Sequence, residues 1–226
     1  MLAAVILSAG ESSRMGTSKA LVPFRGRTFL QRLLDVVQHV QQSAGQIANG
    51  HARCDTDEFV RSSDAGIGFT RVVLGAKADE IRDQLGLDPS IIIVNPHWQN
   101  GQLSSIQAAI SGLSEKQTDG ILLFLVDHPL VGAEVVSQLV EQFYDSGRPI
   151  VLPKYRGKRG HPVIFAQRLY QELLAAPADQ GARTVVWRHN EEVLEVPTED
   201  EGAVLNLNDP EALRRALSDS SLGAGQ

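Results

Sequence analysis

The chain reads as an α/β protein, a single three-layer α/β/α domain whose mostly parallel sheet is covered on both faces. Two observations carry that reading. Uninterrupted apolar runs recur along the chain, and between them lie segments whose apolar side chains repeat at helical spacing. A strand buried on one face alternates polar and apolar residues, whereas an unbroken apolar strand needs helices above and below it. Size is the third observation: 226 residues suffice for one sizeable core and are short for two.

The expected strands are residues 3–7, 71–74, 91–94, 121–126, 150–152 and 162–165, and the expected helices 29–41, 78–85, 103–113, 134–144, 167–175 and 211–217. The first strand is part of an apolar run, Leu2 to Leu7, that empties into a polar, glycine-containing loop. In 103–113 the side chains of Leu103, Ile106, Ala109, Ile110 and Leu113 share one helix face, with Ser104 and Ser105 in the first turn. The strand at 121–126 stops at Asp127-His128-Pro129, where the proline holds His128 extended. The runs at 150–152 and 162–165 flank Arg156-Gly157-Lys158-Arg159, whose charges and glycines suggest a hairpin over the crevice. The last helix opens with Asp209-Pro210-Glu211, an N-cap followed by proline at the first helical position. Residues 43–69 break the rhythm: polar, glycine-containing and without period, they are expected as an exposed insertion, whether mobile flap, interface loop or disordered. The domain is thus expected over 1–217, with 218–226 a frayed tail.

Composition narrows the function. A net charge of −6 with no basic stripe argues against nucleic acid as a partner, but local cations in a cleft can still hold an anion. The single cysteine, Cys54, permits neither an internal disulfide nor a cysteine metal cluster. No apolar run approaches the roughly 18 residues of a membrane span, and Met1-Leu2-Ala3 carries no basic leader, so a soluble, cytoplasmic protein without membrane contact is expected.

Ligands on parallel sheets bind where strands end and chain order reverses. At the end of the first strand stands Leu7-Ser8-Ala9-Gly10-Glu11-Ser12-Ser13-Arg14-Met15-Gly16-Thr17-Ser18-Lys19. Small residues let backbone N–H groups approach polyphosphate oxygens, and Arg14 and Lys19 neutralise charge that the amides cannot. Five residues separate Gly10 from Gly16 and no lysine follows, so this is no P-loop, and G-x-G-x-x-G is absent too. Asp127, at another strand end, is either a ligand for Mg²⁺ against phosphate oxygens or a helix cap. His128 can bond a substrate or fill space, and no second ligand at suitable spacing argues for zinc. Arg183, in Asp179-Gln180-Gly181-Ala182-Arg183, either reaches the cleft or caps a helix.

The loop resembles the signature L-x-x-G-x-x-x-R-M-G-x-x-K of nucleotidyltransferases of the molybdenum-cofactor type, matching at Leu7, Gly10, Arg14, Met15, Gly16 and Lys19. Five further segments are similar to that family's motifs: Asp127-His128-Pro129 to D-x-P, Asn95-Pro96-His97-Trp98 through Gly101 and Ser105 to N-P-x-W-x-x-G-x-x-x-S, Gly160-His161-Pro162-Val163-Ile164-Phe165 to G-[HN]-P-[VI]-x-F, Asp179-Gln180-Gly181-Ala182-Arg183 to G-D-x-G-[AV]-R with Ala178 in place of the leading glycine, and Asn206-Leu207-Asn208-Asp209-Pro210-Glu211 to the late [ND]-[IV]-[ND]-[TD]-P-E motif. The likeness runs from Leu2 to Leu217, sparing the insertion and tail.

The resemblance implies a Rossmann-like, GT-A-type fold and transfer of a nucleoside monophosphate from a nucleoside triphosphate to a small-molecule phosphate, with release of pyrophosphate. It implies Mg²⁺ held by Asp127 and Asn206, Lys19 on the α-phosphate, Arg14 on the β/γ portion, and a cradle of Leu7, Ser8, Ala9, Gly10, Glu11, Ser12 and Ser13. Gly101 and Ser105 fall at the base, and His128, Gly160, His161 and Arg183 on the acceptor side. Guanylyl-transferring relatives have two glycines where this chain has Ala9-Gly10. The Ala9 methyl and Ser105 therefore favour CTP, with molybdopterin cofactor as acceptor and a molybdoenzyme or chaperone as possible partner. The alternatives are a GTP-using guanylyltransferase, a sugar- or polyol-phosphate nucleotidyltransferase, and a non-catalytic nucleotide sensor.

Overall fold

The computed structural model describes residues 1–12, 15–50, 65–113 and 118–219, with 44–50 described by their backbone alone. Strand β1 (Leu2–Ser8) is followed by a small hairpin, β2 (Pro23–Phe24) and β3 (Arg27–Thr28), and by the long helix α1 (Phe29–Gly50). Next come β4 (Ile67–Leu74), α2 (Ala78–Leu85), β5 (Ile92–Val94), α3 (Gln102–Gly112), β6 (Gly120–Leu125) and α4 (Ala133–Ser146). The chain continues through β7 (Ile150–Tyr155), β8 (Lys158–Arg159), β9 (Val163–Ala166), α5 (Tyr170–Ala175), α6 (Arg183–Arg188), β10 (Val193–Pro197) and α7 (Pro210–Ser218).

The main sheet has the order β10-β7-β9-β6-β1-β4-β5, with β8 attached to β7. β1 lies parallel to both β4 and β6, and β4–β5 and β7–β10 are parallel pairs. β9 alone on this path runs antiparallel to its neighbours, β6 and β7. The chain travels outward from β1 to β5 and then crosses back to β6 on the other side of β1. That reversal opens a crevice at the carboxyl ends of β1 and β6.

Every residue of β1 is buried. Leu2, Ala4 and Ile6 pack with Leu30, Leu33, Val37 and Leu139 of α1 and α4, joined by Ile81 of α2 and Ala216 of α7. Ala3, Val5 and Leu7 pack on the opposite face with Ile106 and Ile110 of α3, Leu173 of α5 and Val185 of α6. Two apolar layers around one strand explain why its sequence is apolar throughout rather than alternating.

Several expected boundaries move. α1 continues past residue 41 to Gly50, so the first part of the expected insertion is helical; its alanines and glutamines are strong helix formers and no proline stops it. Ser43 Oγ donates to the His39 carbonyl at 3.0 Å, one turn back. β4 begins at Ile67, four residues before the apolar run, because Ile67, Phe69 and Thr70 pair with Leu2, Ala3 and Ala4 of β1, the register shifting at Gly68. Of the insertion, 51–64 lie outside the described residues. At the other end Ser218 belongs to α7, and 220–226 lie outside the described residues. β10, α6 and the β2–β3 hairpin had no sequence expectation. Among the described residues no helix is long and apolar enough to cross a membrane.

Candidate active site

A cleft of about 260 Å³ lies where β1 and β6 end. Of the residues singled out in the sequence, Leu7, Ser8, Ala9, Gly10, Ser12, Lys19, Gly101, Ser105 and Asp127 line it. Trp98, Gln102, Leu125 and Val126 line it as well. Glu11 is exposed and is not part of the wall. Ser13 and Arg14 lie outside the described residues.

Local structure brings the loop's lysine over the cleft. Ser12 adopts a positive φ of 59°, its Oγ accepts a hydrogen bond from the Lys19 N–H at 3.0 Å, and its carbonyl accepts from the Met15 N–H at 2.9 Å. Gly16, at φ 69°, turns the chain back. Lys19 then opens a short 3₁₀ turn, and its Nζ lies 3.2 Å from Asp127 Oδ2. The same ammonium donates to Oδ1 of Asn208. Asp127 stands two residues past the end of β6, after Val126, whose N–H still reaches the Leu7 carbonyl at 3.1 Å. Its own carbonyl accepts from Leu207 N–H at 2.7 Å, which pins the late motif beside it. Arg32, buried on α1, donates to the Pro129 carbonyl at 3.2 Å and steadies the turn after Asp127.

The expected metal pair was Asp127 with Asn206. The structure sets Asn208 against Lys19 and Asp127, while Asn206 is exposed. Asp209 is the helix cap the sequence predicts, its Oδ1 accepting from the N–H groups of Glu211 and Ala212 at 3.0 and 2.9 Å. A carboxylate and an amide oxygen converging on one ammonium form a hard donor set that suits a divalent cation. No three His, Cys, Asp or Glu side chains form a metal cage among the described residues, so an ion held there would need further ligands such as phosphate oxygens and water.

The opposite wall is built by close backbone approach. A Cβ on Gly75 would stand 2.6 Å from both the Ala9 carbonyl oxygen and Trp98 Cβ, so only glycine lets the indole pack beneath the β1 loop. Ala76 N–H also reaches the Ala9 carbonyl at 3.0 Å. Gly101 opens α3 at φ 91° and ψ −179°, a conformation essentially confined to glycine. Asn95, buried after β5, accepts at Oδ1 from His97 N–H (2.9 Å) and donates from Nδ2 to Ser104 Oγ (2.9 Å) and Ser105 Oγ (3.0 Å).

The imidazoles of His128 and His161, which do not line this cleft, meet with ring centroids 5.1 Å apart. Burial lowers both pKa values, that of His161 to about 4, with His128 adding to the shift. Both rings are therefore neutral at pH 7, and the Nδ1 of each is buried without a partner among the described residues. Gly160 has a packing reason: a Cβ there would meet the Ala203 carbonyl oxygen at 2.4 Å, and His161 N–H bonds that same carbonyl at 2.8 Å. Arg183 is not brought to the cleft. It is exposed at the start of α6, donating from Nε to the Gln180 carbonyl at 3.2 Å, with its guanidinium 5.9 Å from the Trp187 ring.

Residues 4–193 match the MobA-like NTP transferase domain. The molybdenum cofactor cytidylyltransferase of Escherichia coli K12 is 22% identical over 210 residues, covering 92% of this chain and 91% of that protein. The nicotine blue oxidoreductase of Paenarthrobacter nicotinovorans is 29% identical over 192 residues, covering 79% and 78%. Among solved structures, Rv0371c of Mycobacterium tuberculosis H37Rv superposes with a TM-score of 0.75 at 24% identity, over 97% of this chain and 99% of that one. Its complex with manganese gives 0.71 at 23% identity, over 96% and 98%. These superpositions establish a fold shared with that protein, and the domain match over most of the sequence leads to one conclusion: this chain belongs to the MobA-like NTP transferase family and is a nucleotidyltransferase.

Proposed function

We propose that the chain transfers CMP from CTP to the phosphate of molybdenum cofactor, releasing pyrophosphate, with Mg²⁺ as the divalent ion. The observation that carries the reaction type is the convergence of Asp127, Asn208 and Lys19 at the mouth of a strand-end cleft. The choice of CTP rests on Ala9 and Ser105 in the cleft wall, and the choice of acceptor on the resemblance of the GHP and late motifs.

The acceptor phosphate is already ionised at neutral pH, so the reaction demands no general base. The barrier lies in bringing one anion to another and in the charge that grows on departing pyrophosphate, both of which respond to positioning and cations. Asp127, with the Asn206 and Asn208 amide oxygens as candidate partners, would hold a divalent ion that offsets this charge between the α-phosphate and the leaving group. Lys19 swings from its ion pair onto the α-phosphate as negative charge gathers there. Arg14 takes the β/γ portion, and the N–H groups of Gly10 to Ser13 complete the cradle. His128 and His161, both neutral, offer no positive charge to a phosphate. They fit the N–H-bearing heterocycle of the acceptor instead.

Purified protein incubated with Mg²⁺ and each of CTP, GTP, ATP and UTP, with molybdopterin cofactor or a sugar or polyol phosphate as acceptor, tests this reading. The expected result is pyrophosphate release with CTP and molybdopterin and a product mass increased by CMP. Transfer to a sugar phosphate, or preference for GTP, replaces the substrate assignment. CTP binding without pyrophosphate from any acceptor refutes the catalytic reading in favour of a sensor.

A further inference from the structure

We infer that Asn95 fixes the hydrogen-bonding sense of the Ser105 hydroxyl, so that this wall of the cleft presents a donor and selects a base offering an acceptor there, such as O2 or N3 of cytosine. The inference rests on the nucleotide-binding reading above and adds a positioning residue to it.

The amide of Asn95 cannot be turned round. Its Oδ1 faces the His97 N–H, which is a donor only, so Nδ2 must face the serines. Both Nδ2 hydrogens are then used, one on Ser104 Oγ and one on Ser105 Oγ. Backbone pairing holds the residue itself, with Asn95 N–H donating to the Leu74 carbonyl at 2.7 Å. Ser104 spends its single hydrogen on a backbone carbonyl, Gly101 at 2.8 Å or His97 at 3.0 Å.

Ser105 differs from its neighbour. It accepts from Asn95, and among the described residues its own hydrogen has no acceptor, although the side chain is only 3% exposed and lines the cleft. A buried hydroxyl that receives one bond and gives none is poised to donate to whatever fills the cleft. Asn95 does not itself line the cleft, so it acts through Ser105.

The isosteric change Asn95→Asp reverses the polarity without changing shape. The His97 N–H keeps its acceptor, but the oxygen replacing Nδ2 now attracts the Ser105 hydrogen, and the hydroxyl turns lone pairs toward the base. Calorimetric titration of CTP with Mg²⁺ into the unaltered protein, Asn95→Asp, Ser105→Ala and the double variant tests this. Each single change is expected to weaken CTP binding about tenfold, the scale of one hydrogen bond, and the double variant to bind no worse than Ser105→Ala alone. A purely structural role for Asn95 makes the losses multiply in the double variant, which overturns the inference. So does CTP affinity unchanged in either single variant. Should Asn95→Asp not fold, Asn95→Ala frees the hydroxyl to turn inward, and the same non-additivity with Ser105→Ala is expected. If the unaltered protein binds no nucleoside triphosphate, the nucleotidyl-transfer reading itself falls and the inference falls with it.

Discussion

Replacing Lys19 by methionine keeps the aliphatic stem and removes only the charge, which makes it the sharpest probe of the site. At 3.2 Å the Lys19–Asp127 attraction is about 5 kcal/mol for an effective dielectric of 20. That figure is far above the net stabilisation, because both side chains remain about a fifth exposed (19% and 20%) and water takes over much of the lost contact. The expected loss of folding stability is about 1 kcal/mol, or some 2–4 °C in Tm for a chain of this size. The effect on turnover is larger. In the proposed reaction the ammonium faces charge that develops only in the transition state, and losing one such preorganised group costs about 10²–10³-fold in rate. Pyrophosphate release at saturating nucleotide and divalent metal, beside a thermal melt, separates the two effects. A folded variant turning over within tenfold of the unaltered protein refutes the role given to Lys19.

Gly75→Ala drives a methyl to within 2.6 Å of the Ala9 carbonyl and of Trp98 Cβ, neither of which is the free end of a flexible chain. The expected cost is about 1–3 kcal/mol, read as a Tm lowered by several degrees, and an unchanged Tm contradicts the close packing of this wall. Stability should also fall in acid for a specific reason. The folded-state pKa of His161 is depressed to about 4 from an ordinary value of 6.5, so the unfolded chain binds the extra proton first and stability is lost as pH drops from about 6.5 toward 4. The loss reaches up to about 3 kcal/mol, and His128, also depressed, adds in the same direction. His189, raised by its bonds to Glu192 and Glu172, works at the opposite end, and its contribution is lost as pH rises above the ordinary value. Denaturant titrations at pH 7 and pH 5 check the sign, and equal stability at both contradicts it.

The parts of this molecule that were legible in the sequence are those set by local chemistry. Helix α2 falls on the residues that its periodicity marks, and the Asp209 cap forms as Asp-Pro-Glu predicts. Continuous apolar runs announced a sheet covered twice because Ala3 and Ala4 each meet a different layer. The strand-end loop announced phosphate chemistry because glycines, hydroxyls and a lysine need no partner elsewhere to be recognised. What escaped depends on distant pairing. β10 carries Glu195 and ends in Pro197, so it does not read as a strand; it survives as an edge, paired to β7 alone. Which asparagine of the late motif faces Lys19 is decided by the Leu207–Asp127 backbone bond, 80 residues apart in sequence and absent from any local pattern. Asn95 was visible as part of a motif, but its two serine partners and its fixed orientation emerge only once α3 packs against β5. Arg183 shows the converse, a motif residue that the fold sends to the surface beside Trp187.

Diffraction at the manganese absorption edge, from crystals of this protein grown with a non-hydrolysable CTP analogue and Mn²⁺, locates metal and triphosphate together. An anomalous peak is expected within bonding distance of the Asp127 carboxylate and of a phosphate oxygen, with Lys19 Nζ turned onto the α-phosphate and the base against Ser105. A triphosphate seated away from the ends of β1 and β6, or a metal that leaves Asp127 untouched, contradicts the proposed site.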